Sequence, residues 1–361
     1  MNKQIKGAKE LHKIIESSVP KVFIVGHNDA DFDSIGSAIA LQAFCTALGK
    51  QAYIIINDLD IMLEPGVKKI KDRNLNSHNI ITMEQYQSLR DKNSTLIVTD
   101  TNKKNLVAVK DNLDDFANII IIDHHQEDEN TIENASCYIN ENLSSASEVV
   151  SRLLINSKIS FDSDIYTYLF AGIILDTASF KKNTTSNTHD VAKLLSKKAD
   201  RDYINELFLA DFDSDRIVNN LVFNGTLIQA YEFSLVQNHN ISFTLNREKP
   251  TTIYRREQLA KAADKMLKYS IAACFTLGHV DESTVVVCAR SKGALDVGKI
   301  MKTIGGGGNA QNAGAKVCEL PIEEVEEILK TNINFGVNID GNPAPPEEGK
   351  PIKRPKRKIK V

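Results

Sequence analysis

Four stretches of the chain place carboxylates and imidazoles directly after apolar runs. The segment Gly26-His27-Asn28-Asp29-Ala30-Asp31-Phe32-Asp33-Ser34 follows Val22-Phe23-Ile24-Val25. Asp100 closes Thr95-Leu96-Ile97-Val98-Thr99, Asp123-His124-His125 follows residues 119–122, and Asp176 follows Gly172-Ile173-Ile174-Leu175. Hard carboxylate oxygens with imidazole nitrogen and no thiolate suit manganese, magnesium or iron better than structural zinc. Six or seven such ligands exceed what one hydrated ion takes. Two ions about 3.5–4 Å apart, sharing a carboxylate and a hydroxide, would use them all, activating water and steadying both oxygens of an in-line displacement. A single Asp after a strand is ordinarily a helix cap, and Asp33-Ser34 alone would read that way. Four such segments in succession point to a site.

The elements that must carry these residues are legible in the hydrophobic pattern. Residues 22–25, 52–56, 95–98 and 119–122 read as short buried strands, and 34–48, closed by Gly49, as a helix. Further helical patterns fall at about 145–156, 163–175 and 188–199. Strands alternating with helices predict a mostly parallel sheet with helices on both faces, whose ligands sit beyond the carboxyl ends of the strands. Residues 202–225 read as one connecting helix. From 226 the pattern becomes α+β: residues 227–236 and 241–245 alternate like a hairpin around Asn238-His239-Asn240. A helix is expected at 258–267, strands at 271–277 and 284–289, and a last helix at 321–330.

Composition narrows the class. The chain has 361 residues, is 42% hydrophobic and 25% charged, and carries a formal net charge of −3. That is the profile of a globular protein of two domains, not of a polycation gripping long duplex nucleic acid. No apolar run approaches the roughly 18–20 residues of a membrane span, and the N-terminus lacks a signal peptide's apolar core. Cys45, Cys137, Cys274, Cys288 and Cys318 form no CxxC pair, so a reducing, cytoplasmic setting is expected. The proline-rich tail from 336 holds seven basic and three acidic residues, leaving it at +4 and the rest of the chain at −7. It reads as disordered, either solvated or touching RNA or anionic lipid. The glycine run 305–308 follows a helical segment and lacks the Lys-Ser/Thr of a P-loop, so no nucleotide fingerprint is supported there. Asp31-Phe32-Asp33-Ser34 does not match the aspartyl-nucleophile phosphatase motif either.

Taken together, His27-x3-Asp31-x-Asp33, Asp100, Asp123-His124-His125 and Asp176 resemble the DHH phosphoesterase superfamily. Ala289-Arg290-Ser291 and Gly305-Gly306-Gly307-Gly308-Asn309-x2-Asn312-Ala313 resemble its DHH-associated C-terminal domain. The likeness covers about residues 8–333 and, through 98–101, 144–148 and 172–180, is most like the catalytic part of GdpP-type cyclic-di-AMP phosphodiesterases. It implies a DHH catalytic domain at 1–201, a linker helix at 202–225, a substrate-binding domain at 226–335 and the tail at 336–361.

The resemblance also implies roles. His27, Asp31 and Asp100 would hold one manganese, and Asp33, Asp100, His124 and Asp176 the other, with Asp100 bridging; magnesium or cobalt suit the same ligands. His125 would meet substrate phosphate or a metal ligand, and Asp123 would orient a histidine. Arg290, Ser291, Asn309 and the amides of Gly306, Gly307 and Gly308 would cradle the nucleotide in a cleft between the domains. The implied reaction is hydroxide attack on cyclic-di-AMP giving pApA, and onward AMP. A nanoRNase or pAp phosphatase of the same superfamily, and a non-catalytic nucleotide-binding regulator, are the alternatives. A homodimer is compatible with the second domain. Three positions depart from the family pattern: Asn102 and Asn309 stand where His is common, and Gln126 where Arg is. The family residues there can be cationic or donate hydrogen bonds to phosphate; Asn and Gln can still donate, without charge, and metal binding and hydrolysis are expected to survive.

Overall fold

The computed structural model describes residues 2–56, 65–75, 77–209, 211–230, 239–245, 253–269, 271–293 and 295–334. The expected tail therefore lies outside the described residues. The chain divides into two compact units, Met1–Leu209 and Ala210–Val361.

The first unit runs β1 (Lys3–Gln4), α1 (Ala8–Ser17), β2 (Lys21–Val25), α2 (Phe32–Ala47), β3 (Gln51–Ile55), α3 (Pro65–Asn74), β4 (Ile80–Ile81), α4 (Met83–Leu89) and β5 (Thr95–Thr99). It continues with β6 (Asn118–Asp123), β7 (Ser136–Ile139), α5 (Ala146–Ser157), α6 (Ser163–Asp176), α7 (Ser186–Leu195) and α8 (Arg201–Leu207). The seven strands form one sheet in the order β1-β7-β6-β5-β2-β3-β4, and every pairing in it is parallel. Strands buried on both faces explain the continuous apolar runs. Val22, Ile24, Ile54, Ile97, Ile120 and Ile122 pack against α2, α5 and α6. Phe23, Val25, Ile55, Leu96, Val98 and Ile121 face the other way, onto Tyr86 of α4, Val107 and Val109. The second face thus carries one short helix and irregular chain rather than a full helical layer.

Strand order reverses between β2 and β5, where Val25 pairs with Val98. A doubly wound sheet opens a crevice at such a switch point. His27 follows β2 and Asp100 follows β5, so the order of the strands alone sets them side by side.

The second unit runs α9 (Phe212–Phe223), β8 (Thr226–Ala230), β9 (His239–Leu245), α10 (Arg256–Met266), β10 (Ala273–His279), β11 (Thr284–Ser291), α11 (Val297–Lys302), β12 (Gly307–Gly308), β13 (Asn312–Cys318) and α12 (Ile322–Asn334). Its sheet, β12-β13-β11-β10-β9-β8, is antiparallel apart from the parallel β9/β10 pair. Phe275, Val287, Ile300 and Leu329 pack one face, and Val218, Leu259, Ala263 and Cys288 the other.

Two expectations change. Residues 202–225 form two helices, not one, because Asp211 restarts the helix: its carboxylate accepts the Ser214 N–H at 3.0 Å. The β8/β9 pair is antiparallel as the alternation suggests, but it does not turn at Asn238-His239-Asn240. His239 and Asn240 already pair with Ala230 and Gln229 inside the ladder, and residues 231–238 lie outside the described residues. Among the described residues no helix is long and apolar enough to cross a membrane.

Candidate metal centre

Three strand ends and one helix end deliver the site. His27 leaves β2, and Asp31 is the N-cap of α2, its Oδ1 accepting the Asp33 and Ser34 N–H groups at 2.9 and 3.0 Å. Asp33 lies in the first turn of that helix. Asp100 follows β5 in the left-handed region, φ 59°, a conformation that costs a non-glycine residue about 1–2 kcal/mol and has to be held by its surroundings. Its own N–H is anchored on the Ile122 carbonyl at 2.9 Å. His124 and His125 follow β6. Asp176 is not at a strand end: it is the last residue of α6, where the helix dipole is negative and a cation is favoured.

The side chains converge in two groups that share Asp100. His27 Nε2 lies 3.3 Å from Asp100 Oδ2 and 3.8 Å from Asp31 Oδ1. His124 Nε2 lies 3.4 Å from Asp100 Oδ1, 3.2 Å from Asp176 Oδ2 and 3.9 Å from Asp33 Oδ2. Within each group the potential ligand atoms all fall inside 4.8 Å of one another. Yet Asp100 Oδ1 and His124 Nε2 are buried without a hydrogen-bond partner. Buried, unpartnered ligand atoms this close together are what a cation between them would satisfy. The residues therefore fit divalent metal.

The electrostatics follow from that crowding. Burial would raise the Asp100 carboxyl, but the His124 and His27 rings against it hold it well below the usual carboxylate range. Burial would lower His124, but Asp100, Asp176 and Asp33 push it up to about 11. His27 rises well above its usual value against the same burial, through Asp100 and Asp31. Asp33 is raised well above the carboxylate range by burial and by the charges of Asp100 and Asp176. Asp176 is raised to about 6 by burial and by Asp100 and Asp31, with His124 opposing.

Behind the ligand atoms lies a layer that the sequence reading did not assign. Both Asp33 oxygens accept α5 backbone amides, Ala146 N–H and Ser147 N–H, each at 2.7 Å. The α5 terminus is itself fixed. Ser145 caps it through the Glu148 N–H at 3.1 Å, while the fully buried Glu148 accepts from Ser144 and from the Thr188 hydroxyl and pairs with Arg152. The signal was present in Ser144-Ser145-Ala146-Ser147-Glu148, a helix-start pattern of Ser with Glu three residues on. Gly172 of α6 is required where it stands: a Cβ there would lie 2.9 Å from Asp33 Cα and from Asp33 Oδ1.

Asp123 is buried beside the centre with its carboxylate already committed. Oδ1 accepts from the His124 and His125 backbone N–H groups at 2.8 and 3.2 Å and from His125 Nδ1 at 2.8 Å. Oδ2 accepts from Asn102 at 2.7 Å. His125 keeps an exposed ring, raised above its usual pKa by that bond to Asp123. Asn102 is fully buried and its amide, still a donor, is directed inward, to Asp123 and the His125 carbonyl. Gln126 is exposed and donates to Glu141 at 3.1 Å.

In the second unit, register sets the remaining expected residues together. Arg290 pairs with Asn312 and Gly308 with Ala313, on either side of β13's first residues. Arg290 Nε donates to Asp264 at 2.7 Å, and Ser291 Oγ accepts the Gly293 and Leu295 N–H groups. Asn309 uses its side-chain oxygen on the Gln311 and Asn312 N–H groups, building the tight turn into β13. A Cβ on Gly306 would lie 2.6 Å from Ala315 Cβ, and one on Gly308 2.5 Å from Ala313 Cα, so packing accounts for those two glycines. Gly307 faces open space.

Residues 21–173 match the DHH family, N-terminal domain, and residues 249–335 match the DHHA1 domain. The cyclic-di-AMP phosphodiesterase GdpP of Bacillus subtilis is 30% identical over 327 residues, covering 89% of this chain and 48% of that protein. The chain thus spans about half the length of that relative. An exopolyphosphatase-related protein from Bacteroides fragilis shares the fold, with TM-score 0.69 at 20% identity over 90% of this chain and 96% of that one. RecJ of Thermus thermophilus in complex with Mn2+ is similar at TM-score 0.54 and 11% identity, over 94% of this chain and 56% of that one.

Proposed function

The chain belongs to the DHH family, and on that premise we propose that it is a divalent-metal-dependent phosphodiesterase that opens cyclic-di-AMP to pApA and carries it onward to AMP. The observation that carries this reading is the convergence of His27, Asp31, Asp33, Asp100, His124 and Asp176 with two orphaned ligand atoms at its centre. Likeness to a cyclic-di-AMP phosphodiesterase over 89% of the chain supports the substrate.

In this reading His27, Asp31 and Asp100 hold one manganese ion, and Asp33, Asp100, His124 and Asp176 a second; magnesium or cobalt would serve the same ligands. When bound, such ions supply Lewis acidity and make water a competent nucleophile near neutral pH. The protein's own part is geometric. The α5 amides stop Asp33 from rotating, and the β5–β6 backbone bond fixes Asp100. Asp123 holds the His125 ring by Nδ1, turning Nε2 outward to meet a phosphate oxygen. In the second unit, Arg290, Ser291, Asn309 and the glycine amides at 306–308 are assigned to the nucleotide; Gly307 is the one with room for close approach.

The test incubates purified protein and Mn2+ with cyclic-di-AMP, pApA, pAp or pyrophosphate, and resolves products by chromatography. Release of pApA is expected, and Asp100→Asn should abolish it by removing the carboxylate common to both groups. Turnover of linear substrates alone would replace this reading by a nanoRNase or pAp phosphatase. Binding without products would replace it by a nucleotide sensor, and full activity in Asp100→Asn would overturn the site.

A further inference from the structure

We propose that Asn102 is a positioning residue that sets the orientation of His125 through Asp123, an inference that rests on the phosphodiesterase reading for its kinetic consequence. The Asn102 side chain is fully buried. Its Nδ2 donates to Asp123 Oδ2 at 2.7 Å and to the His125 backbone carbonyl at 3.0 Å. Its Oδ1 accepts the Thr131 hydroxyl at 3.3 Å, and its backbone carbonyl accepts the Ile132 N–H at 2.9 Å. One amide therefore ties the loop after β5 to both ends of the loop after β6.

The chemistry of this link is directional. An amide NH2 can only donate, so the Asp123 oxygen that faces it must be an acceptor. With Asn102 in place, Asp123 takes four N–H donors, three of them from the two histidines that follow it. With three donors on Oδ1 and the Asn102 amide on Oδ2, this carboxylate is engaged in holding the loop, although Asp123 lies close enough to Asp100 and His124 to be grouped with them. Asp123 thus acts as the brace of the His125 ring. It accepts from Nδ1, which leaves Nε2 as the outward nitrogen of a ring whose side chain is 54% exposed. The neighbouring residue reinforces the strap: Lys103 Nζ donates to the Gln126 carbonyl at 2.6 Å and pairs with Asp128 at 3.0 Å.

Losing the Asn102 amide would leave Asp123 Oδ2 buried without a partner and free the His125 carbonyl at the same time. Among the described residues the Asn102 side chain hydrogen-bonds to Asp123, the His125 carbonyl and Thr131, none of them an atom proposed to ligate metal, so the consequence should fall on His125 and spare the metals. Outer partners of this kind are worth about 10- to 100-fold in activity.

The experiment compares Asn102→Leu, which keeps the branched shape and removes every side-chain hydrogen bond, with Asn102→His, whose ring N–H can again donate to Asp123. With Mn2+ and cyclic-di-AMP, Asn102→Leu should lose about 10- to 100-fold in kcat, with KM and Mn2+ affinity held within about threefold; Asn102→His should recover most of the loss. Imidazole 15N spectra of the Mg2+-loaded protein give a readout independent of turnover. The wild type should show His125 protonated at Nδ1, and Asn102→Leu should lose that signature. Should Asn102→Leu fail to fold, Asn102→Ser is expected to show the same kcat-selective loss. Wild-type kcat with an unchanged His125 signature would overturn the proposal. So would a kcat loss matched by an equal loss of Mn2+ affinity, which would put Asn102 in the service of the ligands instead. If the wild type turns over no nucleotide, the phosphodiesterase reading fails while the His125 signature still decides the role of Asn102.

Discussion

Replacing Gly172 by alanine adds one methyl group where α6 lies against Asp33. The new carbon would stand 2.9 Å from Asp33 Cα and from Asp33 Oδ1, and closer still to Ser147 Oγ. Carbon contacts become comfortable at about 3.5 Å, so Asp33 must yield by roughly 0.6 Å, and the Ser147 hydroxyl by more. Two stability effects oppose each other. Alanine favours the helix by about 0.8–1.0 kcal/mol over glycine, and overpacking costs about 1–3 kcal/mol. The net destabilisation is about 0–2 kcal/mol, a fall in Tm of at most about 8 °C for a unit of this size. Function should suffer more, because a metal or catalytic constellation tolerates displacements of only about 0.5 Å. Asp33 cannot rotate away, since the Ala146 and Ser147 amides hold both its oxygens at 2.7 Å. Calorimetric titration with Mn2+ should therefore show affinity weakened about 10- to 100-fold, with turnover at limiting metal falling in step. Wild-type Mn2+ affinity and turnover at wild-type Tm would refute the packing argument. A collapse in Tm well beyond about 8 °C would refute the claim that the site, rather than the fold, takes the strain.

Two further outcomes follow from the same geometry. His124 is pushed up to about 11 and Asp176 to about 6 in the metal-free protein, so a cation must displace a proton from His124 at neutral pH and from Asp176 below pH about 6. Titrations in buffers of different ionisation enthalpy should show proton release on Mn2+ binding, with affinity dropping as pH falls through 6; buffer-independent heats would contradict the assignment of His124 as a ligand. Just past that same end of α6, Ala178 stands in the left-handed region at φ 47°, with Ser179 N–H returning to the Ile174 carbonyl at 2.8 Å. Glycine is the natural occupant of that position, so Ala178→Gly should raise stability by about 1 kcal/mol and Tm by about 2–4 °C, read by thermal denaturation; an unchanged or lower Tm would show that the turn is not strained.

The sequence was informative where burial dictates residue type. Strands β2, β5 and β6 had to be apolar on both faces, so their runs and the polar residues just beyond them stood out, and the helix ending at Gly49 carried its own stop signal, φ 77°. The mixed sheet of the second unit was legible as α+β, but not its parallel β9/β10 pair, because pairing partners distant in sequence leave no local mark. The break at residues 208–211 was missed because Asp211 looks like one more acidic residue in an acidic helix until its carboxylate is seen on the Ser214 N–H. Asn102 was read by its chemistry as an uncharged donor; its direction, inward to Asp123, is a matter of burial that a single sequence does not state. Gly172 and the α5 amides were hidden for a related reason: what they touch lies more than a hundred residues away along the chain.

The metal centre also explains why so much of the first unit is devoted to rigidity. Asp33 and Asp100 are almost wholly inaccessible to solvent, and unpaired buried charges are costly. Asp176 adds a third carboxylate at the negative end of α6, where the helix dipole makes the cost larger. Without metal, the cluster can be neutral only by holding protons, which is what the raised His27, His124, Asp33 and Asp176 describe. A protonated cluster would collapse into ordinary hydrogen bonds if its parts could move. Here they cannot: Asp33 is clamped by α5, Asp100 by the β6 backbone, and α6 is pressed onto α2 at Gly36, where a Cβ would meet the Tyr168 carbonyl at 2.7 Å. The orphaned Asp100 Oδ1 and His124 Nε2 are the result. Exchanging protons for divalent cations then satisfies ligands that are already in place, so metal binding should stabilise the fold while requiring little rearrangement of it.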